Sequence, residues 1–148
     1  VSQTDAILEE AANGNAAALD FLRKYMALAH MVDDVVDGEI TDREGICRVF
    51  MALTTFFSCS QFYQDHRQHL FPVIIASMDN HANSVMWEGS AETHKARLAD
   101  VLRSTVVQVV HFVGLICHGG DVNAMRQLSE KSWLNSWATH HDGEGNPI

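Results

Sequence analysis

Apolar residues recur along this chain at helical intervals and in no useful run of strict alternation, which predicts helices rather than strands. The clearest case is 16–37, where Phe21, Tyr25, Leu28, Val32 and Val35 follow at spacings of 4, 3, 4 and 3. Before it, Ser2 or Thr4 caps a short first helix to about Ala12, and Asn13-Gly14-Asn15 breaks the chain. After it, Gly38 is a suitable stop, and Thr41-Asp42-Arg43-Glu44 has the spacing of a capping box. The third helix then carries Ile46, Val49, Phe50, Leu53, Phe56 and Phe57.

The stretch 58–70 is polar and reads as irregular with a short helical turn. Phe71-Pro72 opens a fourth helix, because proline is tolerated in a first turn. Its apolar stripe is Ile75, Met78, Ala82, Val85 and Met86, edged by Ser77, His81, Ser84 and Glu88. A fifth helix, about 91–117, is the most hydrophobic and is expected at the centre, with a polar row of Arg97, Asp100, Ser104, Gln108, His111 and His118. Asp121 caps a sixth, about 122–137, in which Trp133 and Trp137 pack the bundle or a subunit interface. Residues 138–148 have no apolar period and read as an irregular tail. The expectation is one all-α domain, 1–148, built as an antiparallel bundle of five or six helices.

Composition narrows the partners. The formal charge of −9, without a basic patch, speaks against nucleic acid or an anionic membrane. The apolar run Val106–Ile116 is interrupted by Gln108, His111 and Gly114 and is too short for a bilayer, so no membrane span is expected. Cys47, Cys59 and Cys117 are odd in number, lack CxxC spacing and sit among apolar residues, which predicts buried free thiols in a reducing compartment. The polar, acidic start, Val1-Ser2-Gln3-Thr4-Asp5, does not read as a secretory leader, and a cytoplasmic protein is expected.

The chemistry concentrates in Ala29-His30-Met31-Val32-Asp33-Asp34-Val35-Val36-Asp37-Gly38. Carboxylates at a helix C-terminus meet an already negative dipole end, and like charges four residues apart repel by roughly a few tenths of a kcal/mol. A hard divalent cation compensates such a cluster, and Mg²⁺ is commonly held by one or two carboxylates together with substrate phosphates. Helical periodicity turns Asp33 and Asp37 toward the packed side and Asp34 toward solvent. The alternative is solvated surface charge ending a helix. His66 and His69, three residues apart, have no cysteine or carboxylate set beside them and read as surface histidines.

Asp33-Asp34-Val35-Val36-Asp37 is a literal DDxxD after an apolar helical run, and it resembles the first metal motif of class I isoprenoid and terpene synthases. Asn80, Ser84 and Glu88 match that family's second pattern, N/D-x-x-x-S/T-x-x-x-E. The resemblance covers two helices, roughly 16–38 and 72–89, in a chain about half the length of that fold. It implies two or three Mg²⁺ ions on Asp33, Asp34, Asp37, Asn80, Ser84 and Glu88, a diphosphate-bearing small molecule as substrate, and Arg97 or Arg103 for its anionic end. His30, one turn before the aspartates, is a candidate base or carboxylate-orienting group. A second resemblance, of size, acidity and architecture, is to all-α nucleoside triphosphate pyrophosphatases, which implies a nucleotide substrate. A third reading is a non-enzymatic helical module that forms a homodimer through its apolar surface.

Overall fold

In the computed structural model, which describes residues 2–142 and 144, each helix starts where a short polar side chain can satisfy its free amides. Ser2 accepts the Asp5 N–H at 3.1 Å to start α1, Gln3–Ala12. Asn13, in the left-handed region at φ 47°, ends it. Asn15 accepts the Ala18 N–H at 3.0 Å and opens α2, Ala16–Val36. α3, Arg43–Cys59, is capped by Asp42 and not by the expected Thr41–Glu44 box. Asp42 accepts the Gly45 N–H at 2.7 Å, a closeness that needs glycine, since a Cβ at position 45 would lie 2.8 Å from the same carboxylate. Glu44, freed from the box, pairs with Arg48 one turn on.

α4, Gln61–Trp87, departs furthest from the expected pattern. Ser60 caps it ten residues before the expected start, the helix bends where His66 leaves helical geometry (φ −118°, ψ 15°), and Pro72 lies inside it. A proline there removes the N–H that would reach the carbonyl four residues back. Burial of Phe62, Tyr63 and Leu70 offsets that loss, so apolar packing draws the supposedly irregular stretch into the helix. The long fifth helix is divided into α5, Thr93–Arg103, a 3-10 turn, Ser104–Val106, and α6, Val107–Cys117. Thr105 donates its hydroxyl to the Leu102 carbonyl at 2.7 Å and Ser104 to that of Asp100 at 3.4 Å, a local competition that tightens the chain there. α7, Val122–His140, is capped by Asp121 and runs three residues past the expected Trp137, so the helix takes the first part of the expected tail; residues 143 and 145–148 lie outside the described set. With α5, the 3-10 turn and α6 taken as one segment, the all-α bundle has six helical segments, and no strand occurs among the described residues.

The core has two ends. At one, Phe21 of α2 is fully buried among Tyr25, Phe56, Phe62 and Tyr63, with ring centroids 5.2–6.4 Å apart, which joins α2, α3 and α4. At the other, Val109, Val113 and Leu128 pack with Ile7, Leu8 and Ala11, joining α1, α6 and α7. Gly114 permits this approach, because a Cβ there would sit 2.5 Å from Leu128 Cδ2. Only α6 is central. α5 buries Ala99 alone and leaves Leu98 and Val101 exposed.

The 25-residue segment Thr93–Cys117 contains 18 residues of mean hydropathy 1.4, long and apolar enough by composition to cross a membrane. That exceeds the shorter run Val106–Ile116 on which the sequence expectation rested. The core helix of a water-soluble bundle meets the same test, and Val109, Val110 and Val113 here lie in the core. All three cysteines are free, but Cys47 and Cys59 are exposed and Cys117 is half-buried, so the apolar sequence around them did not bury them.

Replacing Phe21 removes the ring that all four other aromatic residues of its cluster touch. Phe21→Ala is expected to lower the unfolding free energy by about 3–5 kcal/mol, measured by urea denaturation, whereas Phe50→Ala, at an exposed site on α3, changes it little.

Candidate metal and anion site

The last turn of α2 is held by its own backbone. Asp37 donates its N–H to the Asp33 carbonyl at 2.8 Å, and the Asp34 carbonyl accepts from Glu39 and Ile40 at 2.8 and 3.0 Å. This fold-back places Asp33 and Asp34 half-buried and Asp37 exposed. The expected inward lean therefore holds for Asp33 and not for Asp37. The helix ends at Val36, and Asp37, as its cap, is no longer carried into the packed row. Asp34 is as sheltered as Asp33 and does not project fully into solvent.

α4 supplies the opposing wall through a row at 4, 3, 4, 3 spacing: Leu70, Ile74, Ser77, His81 and Ser84. Leu70 and Ile74 are buried in the core, and a rigid helix carries Ser77 and Ser84 inward on the same face. The expected apolar stripe, Ile75, Met78, Ala82, Val85 and Met86, is rotated outward and exposed. The polar edge and the buried face are thus exchanged. Ser84 meets the cost of burial by donating to the His81 carbonyl at 2.7 Å, and Ser77 by a hydrogen bond with the buried Tyr25, whose phenol burial pushes upward in pKa.

His81 faces Asp33, with Nε2 3.5 Å from Oδ1. Tyr25–Ser77 and Asp33–His81 ascend both helices together, so α2 and α4 run in the same sense, as alternate members of an up-and-down bundle do. The contact joins the DDxxD turn to the Asn80–Glu88 segment, although through a residue outside either motif. His81 Nε2 is buried without a hydrogen-bond partner at bonding distance. The row Leu70, Ile74 and Ser77, continued at helical spacing, is the sequence signal that leads to His81 once 58–70 is read as helix.

Glu88 caps α4 and forms an ion pair with Arg103 at the end of α5. Asn80 is half-buried beside His81, and His30 and Arg97 are exposed on α2 and α5. The structure thus brings together Asp33 and His81, and separately Glu88 and Arg103; Ser84 keeps its hydroxyl on its own helix, and among the described residues no contact draws His30 or Arg97 to either pair. Among the described residues no three His, Cys, Asp or Glu side chains are grouped to hold a metal ion. Asp33 and Asp34 on α2 and Asn80 on α4 are half-buried oxygen donors, the ligand chemistry Mg²⁺ takes while retaining waters.

Two open grooves lie elsewhere. One, of about 370 Å³, runs between α4 and α6 and is lined by Pro72, Val73, Ala76, Gln108, His111 and Phe112. The other, of about 330 Å³, lies where α1 meets α2, beside Glu9, Ala12 and Leu19. His111 packs edge-on against Trp133, its Nε2 has no hydrogen-bond partner, and burial holds its pKa below the ordinary 6.5. A second buried histidine, His141, stacks on Trp137 at 3.4 Å and has Nε2 3.7 Å from the Asp100 carboxylate. The sequence pattern gave it no role, since it falls in the stretch expected to be irregular. Trp137 itself is half-exposed.

These features define an all-α bundle with an acidic turn set against a polar face of α4. No family model, curated protein or solved structure matches the chain.

Because the folded protein keeps His111 neutral, the unfolded chain takes up a proton that the fold resists once the pH drops below about 6.5. Stability is therefore expected to fall between pH 7 and 5, and His111→Gln to fall less steeply over that window. Paired urea titrations at pH 7, 6 and 5 measure the difference in slope.

Proposed function

We propose that the chain binds a diphosphate-bearing small molecule through Mg²⁺ at the end of the bundle where α2 meets α4, as an isoprenoid-synthase-like protein. The observation that carries this reading is the Asp33–His81 contact, which sets the first carboxylate of DDxxD against the helix of Asn80, Ser84 and Glu88. In this reading Asp33 and Asp34 hold metal from α2, Asn80 and Ser84 contribute neutral oxygens from α4, and Asp37 and Glu88 lie at the rim. His81 keeps the Asp33 carboxylate oriented and is a positioning residue. Arg103, half-buried beside Glu88, is the cation within reach of an arriving phosphate; Arg97 and His30 remain outer positions. Mg²⁺ bound there would neutralise the oxygens of a departing pyrophosphate.

A nucleoside triphosphate serves the same anion chemistry and is the competing substrate class. The non-enzymatic reading is favoured by one observation: Glu88 is already neutralised by Arg103.

Calorimetric titration with Mg²⁺ and inorganic pyrophosphate tests the site. Wild-type protein is expected to bind pyrophosphate only with Mg²⁺ present. Asp33→Asn and His81→Ala are each expected to weaken binding at least about tenfold, with unchanged helicity by circular dichroism. Absence of Mg²⁺-dependent binding overturns the proposal. A pyrophosphate-release assay with prenyl diphosphates and nucleoside triphosphates then separates the substrate classes.

A further inference from the structure

The end of α7 carries a buried imidazole that the fold surrounds with acceptors. His141 caps α7 and is only 6% exposed. Its Nδ1 lies 3.1 Å from the Trp137 carbonyl, one of the free acceptors of the last turn. A carbonyl cannot donate, so Nδ1 carries the hydrogen. In the neutral ring this leaves Nε2 as an acceptor, and Nε2 is buried without a hydrogen-bond partner. What it faces is Asp100 of α5, whose carboxylate Oδ2 is 3.7 Å away. A buried acceptor set against a second acceptor is unsatisfied, and the arrangement is costly as long as neither bears a proton.

Every neighbour of the ring suits the imidazolium. A proton on Nε2 gives both nitrogens an N–H, one for the Trp137 carbonyl and one for Asp100. The Trp137 indole stacks on the ring with centroids 3.4 Å apart, and the face of an indole attracts a cation. The C-terminal end of α7 adds the negative end of its dipole. The Asp100 side chain is 32% exposed, which gives the proton a way in from solvent. Other ionisable groups around this end of α7 are engaged elsewhere or stand apart. His140 is tied to the Ser136 carbonyl, and Asp142 accepts the Glu144 N–H. On α5, Arg97 is exposed, and Arg103, one turn past Asp100, pairs with Glu88. α1 meets this part of α7 through the neutral pair Thr4–Asn135. On α6, His111 meets Trp133 one turn earlier on α7, but burial there disfavours the charge. The two tryptophans of α7 thus rest on histidines of opposite setting.

We infer that His141 and Asp100 form a proton-operated latch: a proton taken up from solvent at Nε2 turns two facing acceptors into a charge-assisted hydrogen bond that fastens the end of α7 to α5, and its loss releases them. The latch acts on a weakly anchored helix. α5 buries Ala99 alone, and Asp100 follows it where the chain begins to tighten, its carbonyl accepting the Ser104 hydroxyl. The Asp33–His81 contact plays no part, and the inference does not depend on the metal reading.

Hydrogen–deuterium exchange of the full chain at pH 5.5 and pH 8, corrected for the intrinsic pH dependence of amide exchange, reads the latch at the last turn of α7. The buffers carry a chelator, so that a proton and not a metal ion is the cation supplied. Wild-type protein is expected to protect the amides of 138–141 about fivefold or more better at pH 5.5. Asp100→Ala removes that dependence, with helicity retained by circular dichroism. Asp100→Asn removes it in a different way: the carboxamide N–H donates to the neutral Nε2, so the last turn stays protected at pH 8. His111→Gln leaves the dependence in place. The inference is overturned by wild-type protection that does not change with pH, by a dependence that survives Asp100→Ala, or by one that His111→Gln abolishes. It is also overturned if Asp100→Asn leaves the last turn unprotected at pH 8.

Discussion

The structure depends on the face that α4 turns inward. Leu70 and Ile74 enter the core where Phe21 organises the aromatic side chains, and helical geometry then obliges residues 77, 81 and 84 to point the same way. Those positions hold Ser, His and Ser, so one rigid row is core at one end and polar at the other. A hydrophobic row continued to the helix end would have closed the bundle. Here it continues into serines and an imidazole, the imidazole facing Asp33 in the acidic turn of α2, which makes the packing of Phe21 and the placement of Asp33 two consequences of one orientation.

Much of the fold was legible in local chemistry. Ser2, Asn15 and Asp121 cap helices, and the breaks at residues 13–15 and 38 fall where expected. The less legible parts are those where two local rules compete. Pro72 marks a helix start by propensity, yet buried Phe62 and Tyr63 extend the helix before it. Thr41 and Asp42 are both capping residues, and Gly45 decides between them through the space it leaves. On α4 two rows of equal regularity lie side by side; the more apolar one was the natural choice for the core, and the less apolar one is buried. The candidate site shares that ambiguity. Asp33 was readable from the helical row, but Asp37 depended on where the helix stopped, and His81 depended on which row of α4 faces inward.

The electrostatics are economical in cations. Arg23 holds Asp5 through two 2.7 Å bonds, which keeps that carboxyl below its ordinary pKa, and Lys131 holds Glu10 at 2.7 Å. With only ten Lys and Arg against nineteen Asp and Glu, such pairs cannot cover every carboxylate. Asp33 has a histidine for its neighbour rather than a fixed cation, and a histidine brings charge only when protonated.

The position of α1 has a consequence for how the chain reaches this structure. Thr4 meets Asn135, Glu10 meets Lys131, the Glu10 carbonyl meets the His118 ring, and Asn13 donates to the Cys117 carbonyl. These partners lie more than a hundred residues apart along the chain, so α1 cannot complete its packing until α6 and α7 exist. Helical bundles ordinarily gain folding speed from local contacts, and this one adds a late closure of α1 onto α6 and α7. During synthesis α1 emerges before α6 and α7, and the side of Ile7, Leu8 and Ala11 that packs on them waits until those two helices are made.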